Sequence, residues 1–248
     1  MKISDNLCQF LEWDSSFFGC RIGSLTVHHL TPEIVIELEQ WRRCNNIACV
    51  YFFAHPNDPS TIRLAEASRF QLVDFQVVYE FTAEGTVLAP KPPMTDSVVR
   101  VHEQTDIGDL VAIARTSHGN TRFYNDSHFS REQADFFYEK WIVNSCSGWA
   151  DEVFVAEVKG EVAGYVSCHL DHDNYVGKIG LLGVKSSLRS RGIGQQLLFM
   201  ALLWQKSKGA KVVLVTTQAG NIAAQRLYQQ SGFIISKGSL VYHSWTSS

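Results

Sequence analysis

Between residues 179 and 233 the chain carries an ordered pattern that few folds can use. An apolar strand, Ile179-Gly180-Leu181-Leu182-Gly183-Val184, leads to the turn Arg189-Ser190-Arg191-Gly192-Ile193-Gly194, which opens a long apolar helix. A second strand, Val212 to Thr217, is followed by Asn221, and seven residues later by Tyr228, just before Ser231-Gly232-Phe233. A helix start exposes backbone N–H groups without intrahelical partners, and the helix dipole adds positive potential there. Phosphate suits such an end. Gly192 and Gly194 let the backbone approach an anion closely, and Arg189 and Arg191 add guanidinium donors. The stretch lacks the Gly-Lys-Ser/Thr of a P-loop and the Gly-x-Gly-x-x-Gly of a dinucleotide fold.

Read singly, these residues have ordinary roles. Asn221 is a good N-cap, Gly232 suits a left-handed helix terminus, and Tyr228 is an acceptable half-buried aromatic. The ordered set is what points further. It resembles the GCN5-related N-acetyltransferase (GNAT) family, whose phosphate motif is matched by Arg189, Gly192 and Gly194 and whose late helix is matched by Asn221, Ala224 and Tyr228. Within that family the whole chain resembles the dTDP-4-amino-4,6-dideoxygalactose (TDP-fucosamine) N-acetyltransferase branch. The supporting residues are Leu11-Glu12-Trp13-Asp14-Ser15-Ser16-Phe17-Phe18-Gly19, the segment 130–145 with Phe137, Tyr138, Trp141 and Ile142, Lys178 to Leu182, and Thr217-Gln218 with Gly220-Asn221.

The resemblance implies an α/β fold with a mixed sheet, in which a GNAT domain follows a smaller αβ domain. It implies acetyl-CoA as cosubstrate, no metal, and transfer to the amine of a dTDP-amino-dideoxyhexose in surface-polysaccharide synthesis. Leu181, Leu182, Gly183 and Val184 would flank the pantetheine arm, with this strand parting from the next near Gly183. Arg189, Ser190, Arg191, Gly192, Ile193 and Gly194 would hold the pyrophosphate, and Asn221 and Ala224 would complete the cofactor side. An N–H around Leu181 or Leu182 would face the thioester oxygen, and Tyr228 would be the general acid. On the acceptor side, Arg122 would pair with a diphosphate, Phe123 or Tyr124 would stack on a base or hexose, and Asp126 would take a hydrogen bond from the amine or a hydroxyl. Solvated or loop-anchoring roles are equally open to these four. His118, Glu152, His169 and Asp171 are all conceivable bases. A peptide N-terminus, another small amine, and a non-catalytic acyl-CoA-binding role are the alternatives.

Composition is consistent with a globular enzyme: 248 residues, 45% hydrophobic and 19% charged. A net charge of −3 argues against broad attraction to nucleic acid. With no apolar leader at the start and no long apolar run, the sequence predicts a cytoplasmic chain without a membrane span. A homodimer is plausible by analogy with the branch. Six scattered cysteines without a Cys-x-x-Cys read as reduced thiols. His169-Leu170-Asp171-His172-Asp173 reads as a polar turn rather than a metal site, because strand alternation separates its side chains.

Three of the six prolines fall within residues 84–96, which predicts an N-terminal αβ domain over 1–90, a linker over 91–97 and the GNAT domain over 98–248. In the second part, Ser130-x-x-Gln133 predicts a capped helix, and strands are predicted near 153–158, 162–170 and 175–184. Residues 119–129 read as a loop. The helix from 192 to 208 is apolar on nearly every side, which predicts burial between two layers. In the first part the order reads strand (22–27), helix (31–43), strand (49–54), helix (60–68), strand (72–81). Sliding this part onto the second pairs Ser68-Arg69-Phe70 with Ser231-Gly232-Phe233, Arg63-Leu64 with Arg226-Leu227, and Val78-Tyr79 with Val241-Tyr242. The N-terminal part therefore reads as a worn copy, with Ala65 at the position of Tyr228 and no phosphate turn.

Overall fold

The computed structural model describes residues 7–88, 96–119 and 121–246. In chain order the elements are β1 (Cys8–Phe10), α1 (Glu12–Phe18), β2 (Ile22–Leu25), α2 (Pro32–Cys44), β3 (Cys49–Ala54), α3 (Pro59–Ala67), β4 (Gln71–Thr82), β5 (Ser97–Val101), α4 (Ile107–Ser117), α5 (Arg122–Asn125), α6 (Arg131–Asn144), β6 (Glu152–Val158), β7 (Glu161–Asp171), β8 (Val176–Val184), α7 (Ile193–Ser207), β9 (Val212–Gln218), α8 (Ile222–Gln230) and β10 (Ile234–Trp245). Local chemistry accounts for many of the boundaries. Thr31 accepts the Ile34 N–H at the start of α2 with Pro32 in the first turn. Ser130 and Gln133 form the anticipated capping box on α6.

The elements group into two compact units that do not follow a single cut near residue 90. The first takes the chain up to Gln76, Thr121–Phe129, and the chain from Gly238 onward; the second takes Val77–Asn120 and Ser130–Lys237. Most of the anticipated linker, 91–97, lies outside the described residues. The reason for the interleaving is strand pairing. In the first unit β10 runs antiparallel to β3, from Leu240 opposite Ala54 to Trp245 opposite Cys49, so the C-terminal strand completes the N-terminal unit. Its core joins Leu38, Val50, Phe52, Ala65, Phe70 and Tyr242.

In the second unit the strands run β4-β9-β8-β7-β6-β5. The hairpins β6-β7 and β7-β8 are antiparallel, whereas β8 and β9 are parallel, as the α7 crossover requires. α7 buries Ile193, Leu197, Leu198, Ala201, Leu202 and Gln205. Of its remaining apolar residues, Met200 and Trp204 are half-buried against the same core, Phe199 is half-buried and Leu203 is exposed.

The two runs β3-α3-β4 and β9-α8-β10 repeat one another at one offset, 163 (222 − 59). α3 and α8 have equal length, as do β4 and β10. The preceding helices α2 and α7 end at the same offset, and Asn46 and Gly209 after them are both left-handed, as are Arg69 and Gly232. Single hydrogen bonds repeat too. Asp58 caps the Thr61 N–H as Asn221 caps the Ala224 N–H, at 3.1 and 3.2 Å. Ile47 N donates to Arg42 O, and Ala210 N to Gln205 O, both at 3.0 Å. Each run also gives up its last strand: β3 is flanked by β10 rather than β4, and β9 by β4 rather than β10. The parallel pairs Ile22–Cys49 and Val176–Val212 set the first strands at an offset of 154 (176 − 22), so the later run is nine residues longer (163 − 154) from strand start to helix end: five lie in the longer β8, two in the connection to α7 and two in α7 itself. The later connection carries residues 189–192 of the turn that opens α7.

Candidate active site

Strand β8 pairs with β9 only from Val176–Val212 to Ile179–Val215, although β8 continues to Val184 and β9 to Gln218. The strands thus part after Ile179, earlier than the expected Gly183. A β-bulge is the cause. Val166 pairs with Leu182 and Cys168 with Ile179, leaving Gly180 and Leu181 opposite Ser167 alone. Bulges bend a strand and increase its twist. The Ser167 hydroxyl accepts the Leu181 N–H at 2.8 Å. A Cβ on Gly180 would stand 2.5 Å from His169 Nε2 and 2.7 Å from Ser167 Oγ, so the bulge requires glycine there.

This decides which N–H is available. Leu181 N–H points to β7, and so does Lys185 N–H, which bonds Ala163 O at 2.8 Å. Strand alternation therefore directs the backbone groups of Leu182 and Val184 to the side that β9 has left. Leu182 N–H is the donor facing the slot, and Leu181 is committed elsewhere. Val184 O already accepts from Arg189 Nε at 3.1 Å.

The phosphate turn follows. Ser190 (φ 63°) and Gly192 (φ 80°) are both left-handed. A serine in this conformation costs about 1–2 kcal/mol. Gln195 and Gln196 N–H groups both bond Gly192 O. The N–H groups of Arg191, Gly192, Ile193 and Gly194 donate to no group among the described residues, which makes an anion cradle at the start of α7. Arg189 also donates from Nη2 to Thr116 O at 3.2 Å. It braces the turn against β8 and α4, while exposed Arg191 carries the open positive charge.

On α8, the Asn221 side chain caps the helix, so Asn221 and Ala224 are joined in one hydrogen bond. Tyr228 is buried, 5% exposed, against the rings of Tyr79 and Phe233 at 5.7 and 5.8 Å. Its hydroxyl has no partner among the described residues, yet it is not among the polar atoms shut off from solvent. Burial pushes the phenol well above its ordinary value, so it is protonated at neutral pH. Tyr79 is locked in turn by Gln225 and Gln229 of the same helix, at 3.1 and 3.3 Å. The sequence carried no sign of Tyr79 or Ser167, because both act through strand neighbours distant in the chain.

The four acceptor-side residues belong to the N-terminal unit. Arg122 lies over the rings of Tyr51, Phe123 and Phe53, at 4.6, 4.7 and 5.6 Å. Its Nε is buried without a partner among the described residues. The Asp14 and Asp74 carboxyls are raised by burial, and the Arg122 charge offsets part of that rise. Phe123 is core, packed on Phe18 and Phe129. Tyr124 is half-buried. Asp126, 1% exposed, accepts from His243 Nδ1 (2.6 Å), Trp245 Nε1 (2.8 Å), the His128 ring (2.8 Å) and the His128 N–H (3.0 Å). Burial raises its carboxyl, but these bonds together outweigh that and hold it below the usual range. The geometry thus gives Phe123 and Asp126 framework duties and leaves Arg122 with open valence. Around the 169–173 turn, Asp171 accepts from Asn174 N and Nδ2, the anticipated polar turn. Burial raises the Cys8 and Cys146 thiols to about 12 and 11, which keeps them un-ionised.

Residues 113–233 match the Acetyltransferase (GNAT) family. The chain is 27% identical over 227 residues to the dTDP-fucosamine acetyltransferase of Escherichia coli O6:H1, covering 90% of this chain and 91% of that one. It is 29% identical over 143 residues to the spore coat polysaccharide biosynthesis protein SpsD of Bacillus subtilis, covering 58% of this chain and spanning about half (49%) of SpsD. Among solved structures, a GCN5-related N-acetyltransferase from Sphaerobacter thermophilus superposes with a TM-score of 0.68 at 18% identity, over 96% of this chain and 76% of that one. A tandem GNAT protein from the clavulanic acid biosynthesis pathway superposes at 0.60 and 13% identity, over 93% and 77%. Among the described residues no helix is long and apolar enough to cross a membrane.

Proposed function

We propose that this chain, an acyl-CoA-dependent N-acetyltransferase whose residues 113–233 match the Acetyltransferase (GNAT) family, takes as its acceptor the amino group of a dTDP-amino-dideoxyhexose, in surface-polysaccharide synthesis on the cytoplasmic side. The observation that carries the acceptor is the likeness to dTDP-fucosamine acetyltransferase, which runs through nine-tenths of both chains and so includes the N-terminal unit. SpsD, a polysaccharide biosynthesis protein, supports the same substrate class.

The chain's groups divide the work as follows. The N–H groups of Arg191 to Gly194 bind the cosubstrate's pyrophosphate, and Arg191 adds charge. Leu182 N–H donates to the thioester oxygen; one such preorganised donor lowers a barrier by about 3 kcal/mol. The amine attacks the thioester directly, with both substrates held by the enzyme, which removes several further kcal/mol of entropic barrier. Tyr228 gives its proton to the sulfur as the C–S bond breaks. The buried phenol, raised above its ordinary value near 10, is a weaker acid than a thiol near 8.5, so the proton moves only as negative charge accumulates on sulfur. Arg122 meets the acceptor's diphosphate, with Tyr124 beside it in sequence; Phe123 and Asp126 hold this segment in place.

Offering the purified chain acetyl-CoA with dTDP-amino-dideoxyhexoses, then with peptides and small amines, and following free thiol tests the acceptor. Thiol release with the sugar nucleotide is expected. Release with peptides or simple amines and not with the sugar nucleotide would overturn it, and tight coenzyme binding without any transfer would favour a binding role.

A further inference from the structure

Past the point where β8 and β9 part, β9 carries a free hydroxyl. Val213, Val215 and Thr217 alternate onto one buried face of the strand, while Thr216 between them is exposed. Val213 and Val215 join the cluster that holds Ile179 and Tyr228, with Leu182 and Leu227 half-buried against it. Thr217, 4% exposed, therefore lies on the side of the sheet that α7 and α8 cover. Leu182 packs on the same side. A Cβ on Gly194, at the start of α7, would stand 3.9 Å from Leu182 Cδ2 and 3.4 Å from Cδ2 of Leu227, the residue before Tyr228. Register sets Thr217 against Leu182. The last ladder pair is Ile179–Val215, and the bulge makes Gly180 and Leu181 count as one residue. Two steps beyond that pair, Thr217 stands across the opening from Leu182.

The two residues that precede Thr217 on this face are valines, and valine has nearly the same shape as threonine. The Thr217 hydroxyl makes no hydrogen bond among the described residues, yet it is not among the polar atoms shut off from solvent. An unpaired hydroxyl on a nearly buried side chain lowers stability, and one in a native structure needs a reason. The Tyr228 hydroxyl is likewise unpaired and reachable, on the same side of the sheet. The two groups differ in chemistry. Burial raises the phenol well above its ordinary value, so it gives up its proton late. Until then the charge gathering on sulfur needs another partner. A threonine hydroxyl stays un-ionised and donates one hydrogen bond.

We propose that Thr217 is a second donor to the leaving sulfur: its hydroxyl hydrogen-bonds the sulfur as the C–S bond breaks, and Tyr228 then supplies the proton. The proposal deepens the transferase reading above and rests on it. In the step itself the amine lone pair forms the N–C bond, and the C–S electron pair goes to sulfur. Sulfur takes the phenolic proton. The nitrogen releases its surplus proton to water, from which the phenolate is reprotonated. Thr217 keeps its own hydrogen throughout. A donor bonds a departing thiolate more strongly than a thioester sulfur, so the contact favours the transition state over the bound cosubstrate.

Thr217→Val, which removes the hydroxyl and keeps the shape, tests this. The kcat should fall by about tenfold or more, less than for an oxyanion donor because sulfur accepts more weakly. Calorimetric affinity for acetyl-CoA should stay within about twofold. Because no internal hydrogen bond is lost, Tm should stay level or rise; Thr217→Ser, which keeps the hydroxyl, should recover most of the rate. A Val variant with kcat within about twofold of wild type would overturn the proposal. So would a loss confined to the KM for acetyl-CoA, which would make the hydroxyl a binding contact only. A Tm lowered by several degrees would also overturn it, by revealing an internal partner. The rates are read with whichever amine of a panel (dTDP-amino sugars, peptides, simple primary amines) the wild-type chain acetylates. Acetylation of an amine other than the sugar nucleotide would remove the acceptor reading and leave the Thr217 comparison standing.

Discussion

Ala65 occupies in α3 the place that Tyr228 occupies in α8. Each carbonyl accepts the N–H of a phenylalanine five residues on, Phe70 at 2.9 Å and Phe233 at 3.0 Å. The two helices have the same length, the same type of cap and the same left-handed exit, yet only one presents a phenol. The earlier run also has no counterpart in sequence of the Arg189–Gly194 turn. On the proposed reading, one half of the repeat carries the chemistry and the other the framework.

Tyr228→Phe removes the proton donor and leaves the ring packing against Tyr79 and Phe233. Turnover should fall by about a hundredfold or more, as for loss of a general acid. Coenzyme affinity by calorimetry should be unchanged. Equal kcat in the two proteins would remove Tyr228 from the role.

Gly192→Val puts a β-branched residue at φ 80° in the anion cradle. The strain and the side chain together should weaken acetyl-CoA binding by at least about tenfold, with the far-ultraviolet spectrum unchanged. Undiminished affinity would show that the pyrophosphate binds elsewhere.

Asp126→Ala separates the framework role from direct contact with substrate. It leaves the His243, Trp245 and His128 donors facing a void, which should lower stability by about 3–5 kcal/mol in urea titrations. A variant of normal stability that had lost affinity for the acceptor would return Asp126 to the binding site.

Stability should fall on mild acidification. Burial lowers His118 to about 4 and also lowers His243, against an unfolded value near 6.5. Between those values the unfolded chain binds protons that the folded chain does not. Their contribution is complete above about pH 6.5 and is lost as pH falls toward 4. Asp126 acts lower, since its depressed carboxyl contributes above its unfolded value near 4 and less below it. Melting curves from pH 7 to 4.5 should shift steadily downward, and His118→Gln should flatten part of the slope. A level Tm across that range would refute the assignment of neutral histidines.

Much of this protein was legible in the linear chain, because its signals act within a few residues. The Ser130–Gln133 box, the Asn221 cap, the glycines at left-handed positions and the apolar periods of α7, β3 and β9 are local properties. Even the repeat could be seen from Ser68-Arg69-Phe70 against Ser231-Gly232-Phe233. What the sequence could not convey was register. Whether Leu181 or Leu182 faces the slot depends on a bulge opposite Ser167, fourteen residues away in the chain (181 − 167). Whether Asp126 meets a substrate or holds the framework depends on His243 and Trp245, more than a hundred residues later. A shift of one residue in pairing turns every strand group to the other side. Helix caps are therefore written locally, and the donors and carboxylates left free for chemistry are chosen only when distant strands meet.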